Sequence, residues 1–272
     1  MVSATGSRAT RRLGVLTAVM VAALGVPSAT AAEPAGELLP VNGFDPLVRL
    51  SPGDTGSSVE VLQQGLIDAG FYRRPVDGIY GSETEMAVLA FHKYVGLERT
   101  TSWNGLDWIR LRLLPDPRIP NRHDEPDRVE VDIGRQLIFI IRDHEIAGVL
   151  HTSTGGAYTY FSERNGTYVR AGTPRGDYSL RWRQYGWVCD RTTGWCVYKY
   201  WAFSDFYGIH GYLDVPSFPA SHGCVRINTW DADWLDDRLF VGMPVHIWDE
   251  PPEIAPPPPP PHQPDDAGAV AV

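Results

Sequence analysis

Ile209-His210-Gly211 and Ser221-His222-Gly223-Cys224-Val225-Arg226-Ile227 bring one cysteine close in sequence to two histidines, two glycines and an arginine. Thiol catalysis needs these parts together. A thiol is largely protonated at neutral pH, with a pKa of about 8.5, so a nucleophilic Cys224 requires a base or a cation beside it. His210 and His222 are rival candidates for that base. Gly211 and Gly223 allow close approach of backbone to a substrate. The N–H groups of His222, Gly223 and Cys224 are candidates to hold a developing oxyanion. Arg226 offers a planar fork for a carboxylate, with Ser221 and Tyr212 expected beside it in the substrate wall. Taken singly, each residue has a plainer role: a buried small hydrophobe, a structural imidazole, a turn, a surface ion pair. Their joint occurrence points to acyl transfer, in which Cys224 attacks a carbonyl and a histidine moves the proton. A zinc site made from Cys224, His210 and His222 is disfavoured, because the paired Cys-x-x-Cys or His-x-x-x-His spacing is absent. Neither a metal nor an organic cofactor is expected.

The elements that must position these residues change character along the chain. Within 46–115, Val59, Leu62, Leu66 and Ala69 repeat at helical spacing up to Gly70. After the Pro75–Gly81 turn, Ser82 is expected to cap a second helix carrying Met86, Val88, Leu89 and Phe91. Trp103 to Leu114 reads as a third, with Leu106, Ile109, Leu111 and Leu113 as its apolar face. Four prolines between 115 and 126 mark a linker at 116–126. From Asp127 the period becomes that of strands. Val129–Ile133 and Gln136–Ile141 form a hairpin about Gly134-Arg135. A further strand begins at Glu145 and ends in a flexible Ser153–Gly156 turn. Thr229 or Asp231 is expected to cap a short helix through Asp236, and Gly242–Trp248 reads as a closing strand. The fold class is multidomain, α plus mainly β: a small three-helix N-terminal domain, then a β-sandwich or barrel-like domain at 127–249. The aromatic run from Trp182 to Tyr207 reads as cross-strand packing, with a lid over Cys224 as the alternative.

Residues 1–31 read as an export signal: Arg8, Arg11 and Arg12, an apolar stretch from Leu13 to Val26, and the small-residue cleavage site Ala29-Thr30-Ala31. The alternative is a short membrane anchor. The 272-residue chain carries a formal charge of -9. Loss of the signal makes this about -12, which argues against nucleic acid as a partner. Three cysteines leave an odd thiol in an oxidising compartment. Cys189 and Cys196 bracket a turn that brings their sulfurs together, so they are expected to form a disulfide and leave Cys224 free. The alternative is three reduced, buried cysteines. Residues 250–272, with six prolines at 256–261, read as a disordered tail. Oligomeric state is open.

The Ile209–Gly211 and Ser221–Arg226 elements resemble the signature of the L,D-transpeptidase (YkuD-type) family, a His-Gly element followed by Ser-His-Gly-Cys-[Ile/Val]-Arg. Tyr212 stands where the family has a small hydroxyl residue. The Ser153–Gly156 turn and Thr173-Pro174-x-Gly176-x-Tyr178 are similar to the family as well. The helical unit resembles the three-helix peptidoglycan-binding domain through Gly53, Gly56, Val59, Leu62-Gln63, Leu66, Gly70, Asp77-Gly78, Tyr80-Gly81, Thr84, Ala87-Val88 and Phe91. His92 replaces a family Gln, and Arg99–Asn104 lacks a second Asp-Gly-x-x-Gly. The resemblance implies peptidoglycan stem peptides and glycan as partners, action in the cell wall or periplasmic space, and 3→3 cross-linking through a Cys224 thioester with release of D-Ala. The alternatives are an L,D-carboxypeptidase using the same thioester and a non-catalytic wall-binding protein.

Overall fold

The computed structural model describes residues 47–114 and 125–249, apart from 164, 192 and 193. The expected signal, most of the linker and the tail lie outside the described residues. Helices α1 (Ser57–Asp68), α2 (Ser82–Tyr94) and α3 (Gly105–Leu113) form the N-terminal part. Val59, Leu62 and Leu66 are fully buried, as their spacing requires. Two expectations are corrected here. Ser82 is the first residue of α2, and Gly81 holds the cap position without a side-chain cap. On α3, Leu106, Ile109 and Leu113 are exposed while Asp107, Trp108 and Leu111 are buried. Trp108 packs edge-on against Trp103 with ring centroids 5.4 Å apart. The large area of the two indoles thus decides which face of α3 turns inward.

The second part opens with β1 (Arg128–Asp132), β2 (Leu137–Arg142), β3 (Glu145–His151), β4 (Thr159–Ser162), β5 (Thr167–Arg170) and β6 (Gly176–Ser179). It continues with β7 (Trp182–Arg183), β8 (Trp187–Cys189), β9 (Cys196–Ala202), β10 (Gly208–Tyr212), β11 (Val225–Asn228), α4 (Thr229–Asp236) and β12 (Pro244–Trp248). One sheet runs β3-β2-β1-β12-β6 and a second runs β11-β10-β9-β7, with β8 also pairing β9. The β4–β5 hairpin, which periodicity did not announce, stands apart from both. Val129, Val131, Ile138 and Ile140 of the first sheet meet Trp201, Ile209, Val225 and Ile227 of the second, and α4 closes the same core through Ala232 and Leu235.

The unbroken apolar run Leu137–Ile141 has a reason. Ile138 and Ile140 face this core, while Leu137, Phe139 and Ile141 face away into a second core shared with Leu62, Leu66, Phe71 and Phe91 of the helices. A strand buried on both faces favours apolar residues along its whole length unless its polar groups are paired, as Arg128 and Glu130 are on β1. The helices are therefore a third layer on the first sheet, within one compact unit. Arg73, following α1, fastens this layer to α4: its guanidinium donates to the Val149 carbonyl at 3.1 Å and pairs with Asp231 at 3.2 Å. Asp231 is thereby taken from the capping role expected of it, and neither it nor Thr229 caps α4: the cap position is Asn228, without a side-chain cap. The Ser153–Gly156 turn is pinned rather than loose. Ser153 and Thr154 are buried, and a Cβ on Gly155 would meet the Gly172 and Thr173 backbone at 2.6 Å.

Candidate active site

β10 and β11 lie side by side in parallel, with Ile209 opposite Val225 and His210 opposite Arg226. Alternation along each strand sends Ile209, Val225 and Ile227 into the core. His210 and Arg226 therefore share the opposite face, and Cys224, the residue before β11, lies on that face two positions from Arg226. Gly211 belongs to the core side: a Cβ there would meet Ala232 and Tyr198 at 3.0 Å. The spacing of the two motifs thus puts the reactive side chains on one surface and its packing glycine on the other.

β9 completes this surface through an irregularity. Trp201 pairs with Ile209 and Tyr198 with Gly211, so two residues of β9 oppose His210. Lys199 takes the strained conformation this bulge demands, with φ 45°. The extra residue re-aims Tyr200, whose ring stacks toward His210 at 6.0 Å between centroids. The Tyr200 hydroxyl and the Gly208 backbone lie close enough to the Cys224 thiol to lower its pKa. Sequence reasoning named neither as a site residue. Tyr200 sat in an aromatic run with no mark to set it apart from packing residues.

Cys224 and His210 are pushed in opposite directions by the same cause. Burial raises the Cys224 thiol above its usual range, against the lowering effects of Gly208, Tyr200 and Arg226. Burial pulls His210 down to about 4, which the Gly211 carbonyl partly opposes. Neutral thiol and neutral imidazole is therefore the resting pair. The tautomer is fixed as well. His210 Nδ1 lies 3.0 Å from the Gly211 carbonyl, which can only accept. Nδ1 carries the hydrogen, and Nε2 keeps the lone pair a base needs.

The other residues singled out from the sequence divide by role. The Ser221 hydroxyl donates to the Cys224 carbonyl at 2.5 Å and accepts from the Gly223 N–H at 3.0 Å, so it braces the nucleophile loop from within. Of the three backbone donors considered for an oxyanion, Gly223 is already engaged. Gly223 has φ 139°, and a Cβ there would lie 2.3 Å from the Tyr207 ring, so only glycine fits. The Arg226 guanidinium lies over the Tyr212 ring at 4.2 Å. His222 is half-buried among aromatics. Trp195 stacks on it at 4.1 Å and Tyr160 meets it edge-on at 4.3 Å. Burial lowers its pKa, with a smaller effect from Arg226. These two rings come from different hairpins: Tyr160 from β4 and Trp195 from the β8–β9 turn. That turn is closed by the expected disulfide, Cys189–Cys196, and Cys224 is the free thiol.

The L,D-transpeptidase catalytic domain family (YkuD) matches residues 126–247, and the peptidoglycan binding domain family matches residues 55–104. An L,D-transpeptidase crystal structure from Xylanimonas cellulosilytica is 31% identical, with 73% of this chain and 97% of that one covered and a TM-score of 0.68. An L,D-transpeptidase from Stackebrandtia nassauensis is 18% identical over 77% of this chain and 99% of that one, with a TM-score of 0.46. No curated protein matches. The chain belongs to the L,D-transpeptidase family. It is an acyltransferase of the cysteine-dependent class, preceded by a peptidoglycan-binding domain. Among the described residues, no helix is long and apolar enough to cross a membrane.

Proposed function

We propose that the protein is exported and forms 3→3 cross-links in peptidoglycan through a thioester on Cys224. The observation that carries this reading is the His210 tautomer. With Nδ1–H held by the Gly211 carbonyl, Nε2 is the atom left to take a proton. Cys224 Sγ attacks the carbonyl that joins a diaminopimelate-type residue to the terminal D-Ala of a stem tetrapeptide, and its proton passes to His210 Nε2. The C–N bond breaks, the same proton leaves with the D-Ala amine, and the acyl group remains on sulfur. The side-chain amine of a second stem then attacks the thioester and gives its proton to His210. The thiolate departs and is reprotonated.

Tyr200 and Gly208, which favour the thiolate form of Cys224, steady the charge that builds on the sulfur during attack and departure. Arg226, stacked on Tyr212, presents its remaining donors to a substrate carboxylate. His222 serves as a packed wall between the two hairpins, not as the base. Ser221 shapes the loop. Residues 46–115 and 127–249 serve as the wall-binding and catalytic domains, with 1–31 as the signal. Water reaching the thioester first would make the outcome a carboxypeptidase instead.

The test is mass spectrometry of the purified protein incubated with disaccharide-tetrapeptide, with Cys224→Ala in parallel. A dimer that has lost one D-Ala, absent with the alanine variant, is expected. Monomer lacking D-Ala would replace cross-linking with hydrolysis. No change in either sample would defeat the reading.

A further inference from the structure

We propose that the helical domain is part of the catalytic apparatus, its Lys93 and Arg99 acting as positioning residues for the 213–220 loop that joins His210 to Cys224. The proposal rests on the acyl-transfer reading above. Lys93 lies in the last turn of α2 with only 3% of its surface exposed. Its amine, which burial and the nearby Arg99 pull down to about 6, reaches across the interface to three acceptors: the Gln136 carbonyl at 3.2 Å, the Thr152 carbonyl at 3.3 Å and His151 Nδ1 at 2.7 Å.

His151 passes the contact on. Its Nε2 lies 2.8 Å from the Val215 carbonyl, in the middle of the loop. A carbonyl only accepts, so Nε2 carries the hydrogen and Nδ1 accepts from Lys93. Burial, reinforced by Lys93, holds His151 down to about 3, so this neutral tautomer persists. The amine fixes the imidazole, and the imidazole fixes the loop. Thr152 provides a second route, for its hydroxyl donates to the Arg226 carbonyl at 2.6 Å, just past the nucleophile.

Arg99, between α2 and α3, holds the same loop from outside. It donates to the Ser217 carbonyl at 2.9 Å and to the Gly134 carbonyl at 2.9 Å. The remainder of the loop hangs on the first sheet's turn, where Ser153 Oγ donates to the Phe218 carbonyl and the Ala220 and Ser221 N–H groups donate to the Thr154 carbonyl. An apolar side chain of similar length would fill the Lys93 space. Only an amine also supplies the donor that orients His151.

The experiment measures acylation of Cys224 by a carbapenem in the full protein, with melting temperature and iodoacetamide alkylation of Cys224 alongside. Lys93→Met is expected to melt within about 4 °C of the parent and to be alkylated normally. Its maximal acylation rate is expected to fall roughly ten- to hundredfold with little change in half-saturating concentration. Lys93→Met combined with His151→Gln is expected to be no slower than the slower single variant, as for residues acting in one chain. A folded Lys93→Met with an unchanged rate, or losses that multiply, would overturn the proposal. If Lys93→Met does not fold, Arg99→Ala decides. Arg99 is exposed, and its loss must slow acylation at least about threefold; an unchanged rate overturns the proposal. Absence of acylation in the parent protein would instead defeat the acyl-transfer reading itself.

Discussion

Acidification separates a buried base at His210 from a solvated one. An ordinary histidine titrates near 6.5, whereas burial holds His210 at about 4. At pH 5.5 a base with the lower value is about 97% neutral, and one with the ordinary value only about 9%. Acylation of Cys224 should therefore keep nearly its full second-order rate from pH 7 to 5.5 and reach its half-point near pH 4, where an ordinary histidine would have lost about tenfold by 5.5. Stability moves in a linked direction. His210 is neutral in the fold, while the unfolded chain takes up the proton below about 6.5. The fold thus loses up to about 3 kcal/mol from this group as pH falls from about 6.5 to 4, and circular dichroism must show that the protein is still folded at each point. The assay is carbapenem acylation at sub-saturating concentration, followed by intact mass, in the parent and in His222→Gln. An acid half-point near 6.5 in both would refute the assignment of His210 as a buried neutral base. Complete loss of acylation in His222→Gln would move the role to His222.

Tyr200→Phe removes the hydroxyl beside the sulfur and should slow acylation roughly ten- to hundredfold, corresponding to about 1.5–3 kcal/mol, with little change in urea midpoint. Asp231→Ala strands the Arg73 guanidinium in the interface and should cost about 3–5 kcal/mol in urea unfolding. Because Leu137, Phe139 and Ile141 share a core with the helices, the helical and β parts should still unfold in one transition; two separated transitions would contradict the shared core. Gly223→Ala should abolish acylation while leaving far-ultraviolet circular dichroism close to the parent, since its Cβ collides with Tyr207 and the Gly172 carbonyl beside the nucleophile; an active variant would show that the loop can relax.

The chain by itself determined the reactive surface. Once Ile209 and Val225 are known to be core-facing, the period of two places His210, Cys224 and Arg226 together on the other side. The turn between Cys189 and Cys196 marked those two as a pair and left Cys224 as the free thiol, and the run Leu137–Ile141 was legible as a hairpin strand, though not as one buried on both faces. What sequence could not settle depends on contacts between distant segments. Tyr200 looks like its aromatic neighbours until the bulge at Lys199 turns it onto the sulfur. Of the apolar positions expected on α3, Leu111 went inside while Leu106, Ile109 and Leu113 stayed exposed, because Trp108 and Leu111 meet Trp103 and the rest of the helical core. His210 becomes a weak base and Cys224 a reluctant acid only because the assembled sheets exclude water, and burial is a property of neighbours that no local window contains. Lys93 is the clearest case. On its helix it is one more cation near a C-terminus, and its role arises only when α2 is laid on a sheet whose β1–β2 turn and β3 end supply three acceptors.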